Sequence, residues 1–168
     1  MSSRRLTITE GVDQVIRAHG QETYPHECCG ALVGRDNRVI SVVALPNMTD
    51  EGPRRRFLVR PSDYREAERQ ASALGEELLG FYHSHPDHPA RPSQYDLDHA
   101  WPTFAYIIVA VAGDALARQS PAGATAEGAA AAGDLTVWYL KDDRSSFEEG
   151  SLQHGENSHP DTAQAVHG

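Results

Sequence analysis

Residues 80–96 read GFYHSHPDHPARPSQYD, and the rest of the chain is interpreted outward from them. The apolar run at 78–82 predicts a β-strand that ends at His83 and His85, whose side chains share a face because strand residues alternate. A proline-rich loop follows, and a predicted helix then brings back the carboxylate of Asp96. Two imidazoles and one carboxylate form a three-ligand zinc set with one open position, which is typical of a catalytic site.

Ser93 and Asp96 have two interpretations. Ser-x-x-Asp is an ordinary helix-start pattern that requires no catalysis. The two upstream histidines favour a second interpretation, in which Asp96 completes a metal site that is otherwise short of a ligand. Ser93 could then hydrogen-bond to the oxyanion of a tetrahedral intermediate.

A hydrolytic zinc site also needs a general base. The chain has no His-Glu-x-x-His pattern, so the base has to come from elsewhere in the sequence. Glu27 is the best candidate, because it stands at the start of the apolar run 27–34, ECCGALVG. The alternative interpretation of Glu27 is an ordinary carboxylate at a surface strand end.

Composition limits the classes of function. The chain has 168 residues, which favours one domain, and its 24 acidic and 15 basic residues give a formal net charge of -9. That balance argues against nucleic acid as a partner. No segment approaches the roughly 20 apolar residues that span a bilayer, and no apolar signal region follows Met1, so we expect no membrane partner and a cytoplasmic location. Adjacent Cys28 and Cys29 cannot form an ordinary disulfide, and we expect reduced, buried thiols.

Predicted strands and helices are interleaved, while several strands are also joined by tight turns. This combination predicts an α/β fold with a mixed sheet and helices on its faces. We expect Gly20 to stop the first helix, an Ala/Gly-rich surface loop at 115–133, and a disordered polar tail over 149–168. The predicted strands are 6–8, 29–34, 39–45, 55–59, 78–85, 104–111 and 135–140, and the predicted helices follow residue 9, residue 61 and residue 93.

Three motifs together carry a family resemblance. His83-Ser-His85-Pro, Ser93-x-x-Asp96 and the upstream Pro25-x-Glu27-x-Cys29-Gly30 resemble the signature of the JAMM (MPN+, JAB domain) zinc metalloproteases. The likeness covers residues 5–148 and is greatest to the small bacterial, Mec-like members. It implies a cytidine-deaminase-like α/β/α sandwich. It also implies one Zn²⁺ per chain on His83, His85 and Asp96, Glu27 as general acid/base, and Ser93 as oxyanion donor.

The resemblance also implies a substrate. The compact bacterial members hydrolyse the amide bond after the C-terminal glycines of ubiquitin-like sulfur-carrier proteins, releasing cysteine or trimming the C-terminus. A deubiquitinase-like isopeptidase and a non-catalytic MPN scaffold are the alternatives. Nucleotide deamination on the analogous fold is disfavoured, because the chain has no Cys-x-x-Cys pair. A homodimer is left open, and supporting or surface roles are expected for Asp87, His88 and His99.

Overall fold

The computed structural model describes residues 4–46, 61–113 and 131–155. Within these ranges, no helix is long and apolar enough to cross a membrane. The strands are β1 (Arg5–Thr9), β2 (Cys29–Arg35), β3 (Arg38–Leu45), β4 (Glu77–Pro86), β5 (Ala105–Ala112), β6 (Ala131–Leu140), β7 (Phe147–Glu149) and β8 (Ser151–Gly155). The helices are α1 (Glu10–Thr23), α2 (Pro61–Ala73) and α3 (Gln94–His99).

The eight strands form one sheet in the order β7-β6-β5-β4-β2-β3-β1-β8. β4 pairs with β5 in parallel, as β1 does with β3 and β8, whereas the β2–β3, β2–β4, β5–β6 and β6–β7 pairs are antiparallel. The predicted mixed sheet is therefore confirmed. The parallel β4–β5 pair lies in the sheet interior, and the candidate ligands stand at the carboxyl end of β4.

Helices cover both faces of the sheet. Tyr82 of β4 packs in one apolar cluster with Val12 and Ile16 of α1, while the next residue towards the N-terminus, Phe81, packs in a second cluster with Ala67 of α2. Because neighbouring strand residues face opposite sides, α1 and α2 lie on opposite faces. The fold is thus the predicted α/β/α sandwich, with the histidines of β4 on the α2 side.

The turn of the β2–β3 hairpin lies between the two strands that the sequence predicted at 29–34 and 39–45. Asp36 and Asn37 have φ values of 54° and 63°, the left-handed pair that a two-residue hairpin turn requires. Thr9 caps α1 by accepting a hydrogen bond from the Val12 amide at 3.1 Å.

The prediction that Gly20 stops α1 is wrong, since the helix runs on to Thr23. A Cβ at Gly20 would lie 2.9 Å from Cγ2 of Val111 on β5. The missing side chain therefore lets α1 approach the sheet closely, and this packing outweighs the local preference of glycine for a helix end.

The prediction of a disordered tail over 149–168 is wrong for residues 149–155. β8 pairs in parallel with β1 from Arg5–Ser151 to Thr9–Gly155, and Nε2 of His154 lies 2.6 Å from Oδ2 of Asp13. The strand gains its order from an edge of the sheet rather than from an apolar face of its own. Similarly, residues 131–133 of the predicted surface loop belong to β6. The rest of that loop, the predicted strand at 55–59 and residues 156–168 lie outside the described residues.

Candidate metal centre

The three predicted ligands meet at the end of β4. Nε2 of His83 lies 3.1 Å from Nε2 of His85, and each of these nitrogens lies 3.2 Å from Oδ2 of Asp96. The side chains are buried, with residue exposures of 1%, 7% and 8%. Strand alternation places the two histidines together, and the loop from Asp87 to Pro92 returns the carboxylate, as the sequence predicted.

The donor set fits a zinc ion. Zinc bonds to histidine nitrogen and carboxylate oxygen at about 2.0–2.1 Å, so two ligands of a tetrahedral ion stand about 3.3 Å apart. The three atoms of this cluster form a triangle of nearly that size, with edges of 3.1, 3.2 and 3.2 Å. Three ligands leave the fourth tetrahedral position to water or substrate, which is the arrangement of catalytic zinc sites.

Burial and mutual contact set the charges of the cluster. Burial alone would raise the pKa of Asp96, but the charges and hydrogen bonds of His83 and His85 outweigh it and hold that pKa far below its ordinary value. Burial lowers the pKa of His83. The pKa of His85 is raised, because its hydrogen bond and attraction to Asp96 outweigh its burial. Asp96 is thus an ionised carboxylate at neutral pH, the form that binds a metal.

A capping box holds Asp96 in place. The Asp96 amide donates to Oγ of Ser93 at 3.0 Å, and the Ser93 amide donates to Oδ2 of Asp96 at 2.8 Å. Oδ2 is also the atom that faces the two histidines. The helix-start interpretation of Ser-x-x-Asp and its ligand interpretation are therefore both compatible with the geometry.

The loop between β4 and α3 fixes the orientation of His85. Its Nδ1 lies 2.9 Å from the Pro89 carbonyl, which can only accept, so Nδ1 carries the proton and Nε2 is the atom that faces Asp96. The neighbouring carbonyl of Ala90 accepts a hydrogen bond at 2.7 Å from Oγ1 of Thr136, which itself accepts one at 2.8 Å from the indole of Trp138. Sequence reasoning missed Thr136 and Trp138, because they lie on β6, far along the chain from the motif.

Asp87 supports the start of the same loop. Its Oδ2 accepts from the Tyr24 hydroxyl at 2.5 Å and its Oδ1 from the Gly113 amide at 2.7 Å. This contact agrees with the supporting role expected for Asp87. His88 and His99 lie in the walls of two separate cavities beside the metal cluster.

Those cavities flank the cluster. One, of about 310 Å³, includes His83 and Asp96 and is walled mostly by aromatic and apolar side chains, among them Phe81, Trp101 and Tyr106. The other, of about 360 Å³, is lined by Glu27, His85, His88, Pro89, Arg91, Pro92 and Ser93. Glu27 itself is 7% exposed. The structure therefore places both predicted catalytic residues in one cavity with a predicted zinc ligand.

Cys28 and Cys29 are both buried and unbridged, as expected. Burial raises the pKa of the Cys28 thiol to about 11 and raises that of Cys29 as well. The amide of Cys28 donates to Oγ of Ser84 at 2.9 Å, which ties the start of β2 to β4 next to the histidines. The Cys28 side chain packs in the same apolar cluster as Tyr82 of β4.

Comparison with known proteins identifies relatives. Residues 9–127 match the family described as prokaryotic homologs of the JAB domain. A desampylase of Haloferax volcanii is 30% identical over 114 residues, which are 64% of this chain and 82% of the relative. A probable TtuB-protein conjugate cleaving protease of Thermus thermophilus is 34% identical over 103 residues, 61% of this chain and 68% of that protein.

Solved structures share the fold. The solution structure of a Desulfitobacterium hafniense protein is 27% identical with a TM-score of 0.71, covering 92% of this chain and 97% of its own. A JAB1/MPN domain protein from Archaeoglobus fulgidus is similar in fold, with 19% identity, a TM-score of 0.53 and coverage of 90% and 98%.

Proposed function

The chain belongs to the family of prokaryotic homologs of the JAB domain, and from this we propose that it is a zinc-dependent peptidase or isopeptidase. Its substrate in this proposal is a ubiquitin-like sulfur-carrier protein, cut at the amide bond after the C-terminal glycines. The relatives named as a desampylase and as a probable TtuB-protein conjugate cleaving protease support a hydrolase that acts on ubiquitin-like proteins.

The observation that carries the proposal is the ligand triangle of His83, His85 and Asp96, with edges of 3.1, 3.2 and 3.2 Å. A zinc ion bound there would supply a Lewis acid that activates water and the scissile carbonyl. His85 presents Nε2 because Pro89 holds its Nδ1, and Asp96 presents Oδ2 because Ser93 caps α3.

Glu27 is the proposed general acid and base. It shares a cavity with His85 and Ser93, which supports a role for its carboxylate beside the metal site. Its carboxylate accepts the proton of the attacking water and then delivers that proton to the leaving nitrogen. Its burial keeps bulk water from competing for this proton.

Ser93 is the proposed oxyanion donor. A serine hydroxyl has one hydrogen to donate and lone pairs to accept, and the capping bond from the Asp96 amide uses only an acceptor site. The hydroxyl hydrogen can therefore point to the oxygen that gains charge in the transition state. One side chain then both caps the helix and stabilises the intermediate.

Cleavage of a carrier lengthened by one residue after its Gly-Gly end tests this function. We expect the wild-type protein, loaded with zinc, to remove the added residue, with intact mass locating the cut. Glu27→Gln should keep its zinc and lose about 1,000-fold in turnover, since general acid–base catalysis contributes 10²–10⁴. Glu10→Gln, an exposed change at the start of α1, is the matched control. Wild-type turnover by Glu27→Gln would refute the assignment of the base.

An isopeptidase that cleaves protein–protein conjugates is the second candidate, and the names of the two relatives favour it. Cleavage of a carrier joined to a lysine side chain, together with failure on the lengthened carrier, would select it. Zinc binding without cleavage of either substrate would select a non-catalytic scaffold.

We also infer the extent and the compartment of the domain. The catalytic domain of this proposal spans residues 5–148 and continues through β8 to 155, because β8 completes the edge of the sheet beside β1. We place the protein in the cytoplasm in this proposal, and the two buried, free thiols of Cys28 and Cys29 are compatible with a reducing compartment.

A further inference from the structure

Two cavities lie beside the metal cluster, and a substrate bound across the cluster would occupy both. Pro92 lines both cavities, while His83 and Asp96 line the first and His85 lines the second. A substrate chain bound across the cluster would have its residues before the scissile bond in one cavity and its leaving part in the other. The first cavity is lined by the rings of Phe81, Trp101 and Tyr106 and also by charged side chains, among them Asp98 and Arg144. The second cavity is lined mainly by charged and polar side chains, together with two prolines.

The proposed catalytic residues identify the leaving side. Glu27 has to reach the leaving nitrogen to protonate it, and Glu27 lines the second cavity together with Ser93. The part of the substrate that leaves as an amine consequently occupies this second cavity. Its volume of about 360 Å³ lies at the lower end of small-molecule sites and is large enough for a single amino acid.

Arg91 gives this cavity a preference for charge. Among the ion pairs of the described residues, none involves its guanidinium. Its backbone is tied to the metal site, since the Arg91 amide donates a hydrogen bond at 2.8 Å to the Pro89 carbonyl. The same carbonyl accepts a hydrogen bond from Nδ1 of His85. A free guanidinium on a fixed loop is suited to bind a carboxylate by charge-assisted hydrogen bonds.

We propose that Arg91, which lines this cavity together with His88, binds the free α-carboxylate of a single amino acid attached to the terminal glycine of the carrier. This inference rests on the proposed function and narrows its substrate to a peptide-linked terminal residue. A leaving amino acid carries its carboxylate one carbon from the leaving nitrogen, within the same cavity. A lysine side chain in an isopeptide bond carries only methylene groups there and gains nothing from a cation.

The reaction is balanced as a hydrolysis. The oxygen of water bonds to the glycine carbonyl carbon, the C–N bond breaks, and Glu27 transfers one proton of the water to the leaving nitrogen. The second proton leaves the new carboxylic acid, so that the products are a carboxylate and a protonated amine. The products are a carrier that ends in a glycine carboxylate and a free amino acid, whose carboxylate Arg91 held throughout. No oxidant, reductant or further co-reactant takes part.

Two substrates that differ only at the carboxylate test this specificity. One is a ubiquitin-like carrier ending in Gly-Gly-Ala with a free carboxylate, and the other is the same carrier with a C-terminal carboxamide. We expect the zinc-loaded wild-type protein to prefer the free acid by about tenfold in kcat/KM, the value of one charge-assisted hydrogen bond. Arg91→Gln should bring the two substrates to equal kcat/KM, and Arg91→Lys should keep part of the preference.

The control is Arg65→Gln, which removes an exposed arginine of α2 that lines neither cavity. It should keep the wild-type preference. Equal cleavage of acid and amide by the wild-type protein, or an unchanged preference in Arg91→Gln, would overturn the role of Arg91 and leave the proposed function standing. Cleavage of neither substrate by zinc-loaded protein would overturn the proposed function, and the inference with it.

Discussion

Ser93 and Asp96 exchange two hydrogen bonds, and the oxygen of Asp96 that takes part is the one that faces the metal site. The Ser93 amide donates to Oδ2 at 2.8 Å, and this atom lies 3.2 Å from Nε2 of both His83 and His85. The helix cap therefore orients the oxygen of Asp96 that would bind the metal. The same two histidines hold the pKa of Asp96 far below its ordinary value, against the effect of its burial.

Ser93→Ala separates the two roles of the serine. Loss of the cap should lower the free energy of unfolding by about 1 kcal/mol. Loss of the hydroxyl donor should lower kcat at least about 100-fold while zinc stays bound. Ser93→Thr, which retains the hydroxyl, should restore much of both. Unchanged turnover in a destabilised Ser93→Ala protein would show that the hydroxyl only caps the helix.

Thr136→Val tests the support of the loop that carries Pro89. Valine keeps the shape of the side chain but removes the bond to the Ala90 carbonyl and leaves the Trp138 indole without its acceptor. We expect the zinc affinity to fall about tenfold, as it does when residues that support metal ligands are changed. Competition with a chelator measures this affinity. Thr7→Val on β1 should have no such effect. Equal zinc affinity of the two variants would contradict the support role.

The pKa of Asp13 predicts a dependence of stability on pH. Burial alone would raise this pKa, but hydrogen bonds from Arg17 and His154 outweigh it and lower the pKa below its ordinary value. The folded state therefore binds fewer protons in acid than the unfolded state does, so the stabilisation is present at neutral pH and is lost as the pH falls through the folded pKa.

Asp13→Asn should accordingly lower the free energy of unfolding by about 1 kcal/mol at pH 7. Urea titrations should show that the difference in free energy of unfolding between the wild-type protein and Asp13→Asn decreases as the pH falls below the ordinary pKa of an aspartate. Asp142→Asn, in the exposed turn after β6, is the control. A difference that is the same at pH 7 and in strong acid would contradict the link between α1 and β8.

The buried thiols predict a chemical test. Because the pKa of Cys28 is about 11 and that of Cys29 is also raised by burial, little thiolate exists at pH 8. The thiols of the native protein should react slowly with a thiol reagent such as dithiobis(nitrobenzoate). Both cysteines should react rapidly when the protein is unfolded in urea. Rapid reaction of either thiol in the native protein would show that the start of β2 opens readily.

The ligand set was predictable because its signals are local. His83 and His85 follow from the alternation of one strand, and Asp96 follows from a helix-start pattern a short loop later. Glu27 and Ser93 were candidates from their positions in the sequence, each with an ordinary structural alternative, and the family resemblance favoured their catalytic roles. Those roles stay predictions. Their placement in one cavity with His85 supports those roles without testing them.

The missed features depend on contacts between distant parts of the chain. At Gly20 the helix packs closely on Val111, and β8 pairs with the edge strand β1, and neither contact can be predicted from the local sequence. The polar sequence of β8 has no alternating apolar pattern that could have predicted it. Thr136 likewise carries no signal in its own sequence, since its partner, the Ala90 carbonyl, is defined by the fold.

Zinc content is the most direct test of the proposed metal centre. Purified protein, reconstituted with zinc and dialysed, should carry an equimolar amount by elemental analysis. His85→Ala should carry almost none, while His99→Ala, whose ring nitrogen lies 2.9 Å from the Tyr95 carbonyl on α3, should remain equimolar. Absence of zinc from the reconstituted wild-type protein, or equimolar zinc on His85→Ala, would contradict a catalytic zinc site on His83, His85 and Asp96.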